Sequence, residues 1–168
     1  DVPPLFKKRL EMFACSDADM VEFLQEMMGY CLTPHYLRPA FFLLYGEGSN
    51  GKTTLLQVME QIIGADCCSA VSLDQLSDVT AEQFEFSLMN VSTESSGREM
   101  VKEGYLKAIA GGDKVNVNPK YLAPRSIHPS AKLIFAVNEK PPATDTSKGF
   151  WRRVNLIPCA AEIAKNQD

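Results

Sequence analysis

The sequence has two histidines, one tryptophan and no excess of basic charge, since 17 Lys and Arg stand against 21 Asp and Glu for a formal net charge of -4. Two isolated histidines, His35 after Pro34 and His128 before Pro129, do not make a metal site, and no Ser-His-Asp or Cys-His arrangement is indicated by spacing. Five cysteines are an odd number, with Cys67 and Cys68 adjacent and no CxxC pair. That pattern supports neither a disulfide framework nor a zinc site and fits a reducing, cytoplasmic compartment. No run approaches the roughly 18 apolar residues of a membrane span, and the start, DVPPLFKKRLEMF, lacks the apolar region and small-residue cleavage site of a signal peptide. Because no global field draws the chain to nucleic acid, any such binding must come from a local basic surface.

What is present is enough apolar material, 45% of 168 residues, for one domain with a sizeable core. The chain starts with Asp and ends abruptly, so the expectation is a fragment cut from a longer protein, with flanking domains outside it. A short helix is expected over residues 5–14. A second is expected in SDADMVEFLQEMMG, capped by Ser16 or Asp17 and ended by Gly29, with Met20, Val21, Leu24, Met27 and Met28 at helical spacing. After the break TPHYLRP, the run AFFLLY suits a fully buried strand, and KTTLLQVMEQII supplies a helix that Gly64 closes. Further strands are expected at SLMNVST (87–93), KLIFAVN (132–138) and RRVNLIP, a helix at REMVKEGYLKAIA, and one arm of a hairpin at DKVNVNPKY with Pro119 at its edge or turn. Strand, helix and strand in repetition predict an α/β core with a mainly parallel central sheet flanked by helices. Residues 1–36 form a helical lead-in or partial N-terminal helical domain, and residues 37–168 the core.

Between the first strand and its helix, Gly46, Glu47, Gly48, Ser49, Asn50, Gly51, Lys52 and Thr53 match G-x-x-x-x-G-K-[ST] at every fixed position. Glycines allow tight backbone geometry and close approach of a phosphate, while backbone N–H groups and the helix start supply a positive field. Lys52 would reach the terminal phosphates of ATP and the Thr53 hydroxyl would coordinate Mg2+. Thr54 completes the nucleotide-binding stretch, where it caps or packs. A plain glycine turn and an inactive nucleotide site are the two alternatives.

The series EFLQEMMGYCLT, GEGSNGKTT, NVSTESS, LKAIAGGDKVNVNPKY, KLIFAVN and GFWRRVNLIP, in that order, resembles the superfamily 3 helicase core, of the AAA+ class of P-loop NTPases, found in phage and plasmid primase-helicases. By that resemblance the acidic motif falls on Glu94, where a carboxylate would polarise the attacking water or orient it through Mg2+. Thr93 occupies the preceding place, where many ATPases have a metal-organising Asp. Asn138 takes the place of the polar sensor, and a turn-forming Asn is the alternative. The pair Arg152 and Arg153 takes the place of the arginine finger that completes a neighbouring subunit's site. Arg152 is favoured, with a local ion pair as the other use of either residue. Asp145 resembles the acidic residue before that pair, or is a solvated loop residue. The segment carrying a channel hairpin maps onto residues where Lys114, Asn116, Asn118, Lys120 and Arg125 would contact single-stranded DNA, chiefly through its phosphates. Tyr121 would stack on a base or pack on Leu122, and Trp151 is left without a role.

The resemblance therefore implies an ATP-dependent translocase or DNA helicase, working as a homo-oligomeric, hexameric ring on single-stranded DNA in a bacterial host or phage-infected cell. A primase or origin-binding domain would lie outside this segment. Two other readings stand beside it: a nucleotide-dependent assembly or loading module without unwinding, and a P-loop small-molecule kinase.

Overall fold

The computed structural model describes residues 3–95, 103–139 and 147–161. Two helices lead, α1 (Pro4–Phe13) and α2 (Ala18–Cys31), followed by β1 (Phe41–Tyr45), α3 (Lys52–Ile63), β2 (Cys68–Ser69) and β3 (Met89–Ser95). Then come α4 (Glu103–Gly111), the hairpin strands β4 (Val115–Val117) and β5 (Arg125–Ile127), β6 (Lys132–Val137), the short α5 (Lys148–Trp151) and β7 (Val154–Pro158). Five strands form one sheet in the order β2-β3-β6-β1-β7, and every pairing in it is parallel.

Alternation along β1 explains why its sequence is apolar throughout. Phe41 and Leu43 enter a core shared with α4, the hairpin and α5, whereas Phe42 and Leu44 enter a second core with α1, α2 and α3. Successive side chains of a strand point to opposite faces, so a parallel strand covered on both sides reads as a continuous hydrophobic run. Each such buried Leu or Phe is worth about 1.5–3 kcal/mol. In α3, Leu55, Leu56 and Met59 are buried against the second core, while Ile62 is 59% exposed.

Helix α2 is capped by Asp17, whose carboxylate accepts from Asp19 N at 3.0 Å and Met20 N at 3.2 Å. It does not stop at Gly29 as the glycine suggested. It runs on to Cys31, because Leu24, Met27 and Cys31 continue one buried face and Gly29 lies on the outer side with open space around it. One glycine that does require its freedom is Gly112, at φ +71, where an added Cβ would meet the Tyr36 ring at 2.7 Å. Strand β2 has two residues, too few for periodicity to reveal. Fully buried Asn90 on β3 stitches the following loop to the sheet, accepting from Ser69 Oγ at 3.0 Å and Val71 N at 2.8 Å and donating to Val71 O at 2.9 Å.

The chain leaves β1 toward β2 on one side and later crosses from β6 to β7 on the other. In open parallel sheets, ligands bind outside the carboxyl ends of the strands where the winding direction changes. Here that place is the end of β1, next to Val137 of β6.

Candidate functional site

The loop that leaves β1 is closed by its own polar groups. Lys52, 8% exposed, donates from Nζ to Gly46 O at 2.5 Å and to Asn50 Oδ1 at 2.8 Å. Asn50 donates in turn from Nδ2 to Cys159 O at 2.5 Å, and Cys159 N donates to Tyr45 O at 2.8 Å. The loop is thus pinned between the ends of β1 and β7. A Cβ on Gly46 would lie 2.4 Å from Cys159 O, so only glycine fits there. Ser49 at φ 62 and Gly51 at φ 78 are left-handed, a backbone pattern that turns N–H groups toward a common concavity. The twelve-residue α3 starts immediately after, so the positive end of its dipole faces the same place. Thr53 and Thr54 are exposed on its first turn. Burial pushes the Cys159 thiol up to about 12, against the opposing pull of the Lys52 ammonium.

Two other expected residues come to this carboxyl edge. Gly46 N donates to Val137 O at 3.2 Å, so Asn138, exposed directly after β6, adjoins the first glycine of the loop. Glu94 is in β3, whose register against β6 slips between Ser92 and Ser95. Ser92 pairs with Phe135 and Ser95 with Val137, which places one extra residue in the Thr93–Glu94 stretch, and bulges of this kind recur beside active sites. Thr93 is exposed.

The arginines lie elsewhere. Val154, the first residue of β7, pairs with Phe41, the first of β1, so Arg152 and Arg153 sit at the amino edge of the sheet. Arg152 is exposed. Arg153 is half-buried and donates from Nη1 to Gly149 O. Trp151 is 51% exposed and meets Phe150 edge to face, with ring centroids 5.5 Å apart. Asp145 falls outside the described residues.

The hairpin also belongs to the amino edge, since β5 leads through Pro129 and Ser130 into the first residue of β6. Lys114, Asn118 and Lys120 are exposed. Asn116 Oδ1 accepts from Ser126 Oγ at 2.7 Å, and Arg125 Nη1 pairs with Glu85 Oε2 at 2.6 Å.

Residues 44–153, well over half the chain, match the profile of a family described as of unknown function, DUF5906. The chain belongs to the DUF5906 family. It is 23% identical over 161 residues to a protein of Acanthamoeba polyphaga mimivirus named as a putative helicase, an alignment covering 90% of this chain and 17% of that protein. Among solved structures, the C-terminal region of NrS-1 matches with a TM-score of 0.75 at 20% identity, over 100% of this chain and 40% of that one. JCV helicase with a bound thiazolopyridine compound matches with a TM-score of 0.59 at 16% identity, over 93% of this chain and 46% of that one. These two likenesses are likenesses of fold. The DUF5906 chain spans less than a fifth of the mimivirus protein and under half of either structural relative.

One polar centre of this DUF5906 chain was not foreseen. Lys132, at the start of β6, is fully buried and donates to Thr33 O at 2.7 Å and Ser130 O at 2.9 Å. Its Nζ lies 4.5 Å from the ring centre of Tyr36 and 5.1 Å from that of Tyr30, within the range of a cation–π contact. Burial pushes its ammonium down to about 8. The only signal in the sequence is a lysine opening an otherwise apolar strand.

Proposed function

We propose that residues 37–168 are a P-loop ATPase core of the superfamily 3 type, with residues 1–36 as its helical lead-in, and that they drive a ring translocase or DNA helicase by hydrolysing ATP between subunits. In this reading Gly46 to Thr54 cradle the triphosphate, Lys52 exchanges its Gly46 and Asn50 partners for phosphate oxygens, and Thr53 and Glu94 hold Mg2+. The metal supplies charge neutralisation on the phosphates. Glu94 and Asn138 orient the attacking water. The cradle suits the ligand: a left-handed loop, a helix start and a lysine already desolvated meet at one place. The site of action is the cytoplasm of an infected or plasmid-bearing cell.

The observation that carries the intersubunit part is the distance between loop and arginines. The loop follows Tyr45 and the arginines precede Val154, at opposite ends of paired five-residue strands. At about 3.3 Å per residue the strands alone separate them by roughly 13 Å, which supports Arg152 serving a neighbour's loop rather than its own. An exposed arginine at that edge suits the neighbour's site in a ring, where it would stabilise charge developing on the transferred phosphoryl group.

The test is steady-state ATP hydrolysis over a protein concentration series, with and without single-stranded DNA, for wild type, Lys52→Ala, Arg152→Ala and an equal mixture of the two variants. Each variant alone is expected to be inactive. The mixture should recover activity, because an intact loop on one subunit meets an intact Arg152 on its neighbour. Absence of recovery, together with wild-type turnover independent of concentration, would sink the shared-site reading and favour a nucleotide-dependent assembly module or a small-molecule kinase.

A further inference from the structure

The loop motif leaves the position before its second glycine free, yet Asn50, which occupies it, is the most constrained side chain of the turn. Glu47, Gly48 and Ser49 before it are exposed, whereas Asn50 is 7% exposed. The left-handed residues Ser49 and Gly51 stand on either side of it. That conformation is free for glycine and costly for serine, and an outlier of this kind motivates a functional hypothesis.

Both poles of the Asn50 amide are engaged. Oδ1 accepts from Lys52 Nζ at 2.8 Å, and Nδ2 donates to Cys159 O at 2.5 Å. The partners fix which atom is which, because an ammonium only donates and a carbonyl only accepts. Cys159 is itself anchored. Its N–H donates to Tyr45 O at 2.8 Å, directly after the pairing of Tyr45 with Pro158, and its side chain is buried in the second core. The amide is thus a bracket, with one end on the lysine of the loop and the other on a fixed point of the sheet 109 residues away. The loop is shaped around that bracket, since a Cβ on Gly46 would lie 2.4 Å from Cys159 O and 2.8 Å from Asn50 Nδ2.

Among short side chains only an amide carries a donor and an acceptor on separate atoms. An ionised Asp offers acceptors alone, Ser has a single polar atom, and Ala has none. A lysine ammonium on its flexible stem loses rotamer freedom when it is fixed. Here Asn50 and Gly46 O fix it in the empty loop, so that loss falls on folding and not on binding.

We propose that Asn50 is the positioning residue of the loop, aiming Lys52 at the phosphate site from a fixed point at the exit of β7 and acting on the nucleotide through that lysine. The proposal rests on the nucleotide-binding part of the reading above. It adds the carboxyl end of β7, distant in sequence from the motif, to the parts that shape the site.

Action through Lys52 has a signature that space-filling lacks. The experiment is calorimetric titration of the full chain with Mg-ATP for wild type, Asn50→Ala, Asn50→Ser, Lys52→Ala and the two double variants, with urea denaturation of each as the check on folding. Asn50→Ala should weaken ATP binding about 10-fold, the low end for a hydrogen bond to a charged group, and Asn50→Ser somewhat less. In the Lys52→Ala background the same changes should cost less than about 2-fold, because the group on which Asn50 acts is gone. Asn50→Ser carries the same comparison if Asn50→Ala does not fold. Wild-type affinity in both Asn50 variants overturns the positioning role and leaves the nucleotide reading standing. A loss that persists undiminished without Lys52 also overturns it, since the amide would then act on the nucleotide or on the loop as a whole. No binding of Mg-ATP by wild type overturns both.

Discussion

Lys52 and Lys132 are both lysines with ammonium groups inside the protein, 8% and 0% exposed, and each donates to two oxygens. Their surroundings set them apart. The acceptors of Lys52, Gly46 O and Asn50 Oδ1, belong to its own loop, within six residues of it, so the lysine can exchange them for a ligand without parting any two elements of the fold. Lys132 instead ties β6 to Thr33, 99 residues away, and lies over the rings of Tyr30 and Tyr36. Releasing it would break a polar tie between the helical lead-in and the sheet, which the second core also joins. The same ammonium group is held only by its own loop at the carboxyl edge and ties distant elements together at the amino edge.

The sharpest way to break this comparison is to remove each ammonium in turn. Lys52→Ala should lose about 100-fold in ATP affinity, the scale of lost charge-assisted contacts, with little change in unfolding free energy. Lys132→Ala should leave nucleotide affinity in the folded protein near that of wild type while costing about 2–4 kcal/mol, because it opens a cavity and strands two part-buried carbonyls. Calorimetric titration with ATP and urea denaturation of both variants check the pair. A stability loss confined to Lys52→Ala would reverse the assignment.

A smaller effect sharpens the account of the charge itself. Burial holds the Lys132 ammonium at about 8 in the folded chain, against about 10.4 for an unperturbed lysine. Between those values the unfolded chain keeps a proton that the folded chain gives up, so this group's contribution to stability rises as pH rises from about 8 to about 10.4, and is lost as pH falls through 8. Cys31 is buried beside it, its thiol pushed up to about 12 by burial, and opposes that trend because it stays protonated only in the folded state. The difference in unfolding free energy between wild type and Lys132→Met, which keeps most of the side-chain volume, removes the Cys31 contribution except for the part that the Lys132 charge itself sets. That difference should shift in favour of wild type over the interval. A flat difference would mean that the two carbonyls and two rings compensate the ammonium fully.

Lys52 was legible in the sequence and Lys132 was not, for a physical reason. The loop after β1 is built from consecutive residues, so its glycines, lysine and threonine stand together in the sequence. The apolar runs of β1 and β6 were legible for the same local reason, since burial on both faces demands them. The Lys132 cage draws on residues 30, 33, 36 and 130, whose proximity exists only after folding. The extent of α2 past Gly29 was set by Cys31 finding the core, which outweighs the helix-breaking tendency of an exposed glycine. Adjacent arginines could not be told apart by spacing either. Only the end of α5 turns Arg153 inward to Gly149 and leaves Arg152 facing solvent.

The least perturbing test compares the two rings around Lys132 with each other. Tyr36 donates from Oη to Ala131 O at 2.8 Å, a part-buried bond, whereas Tyr30 donates to Arg38 O at 2.9 Å where the bond is exposed. A phenylalanine at either position keeps an aromatic face near the ammonium and removes one hydroxyl. An intramolecular hydrogen bond contributes about 0.5–1.5 kcal/mol net, and a stranded buried acceptor costs more than a solvated one. Tyr36→Phe should therefore destabilise by about 1 kcal/mol or slightly more, and Tyr30→Phe by less, since water replaces the lost donor at Arg38 O. Urea midpoints measured side by side would expose the reverse order. That order would place the principal tie between lead-in and sheet at Tyr30 and Arg38, leaving Lys132 a buried charge with a smaller share in holding the two together.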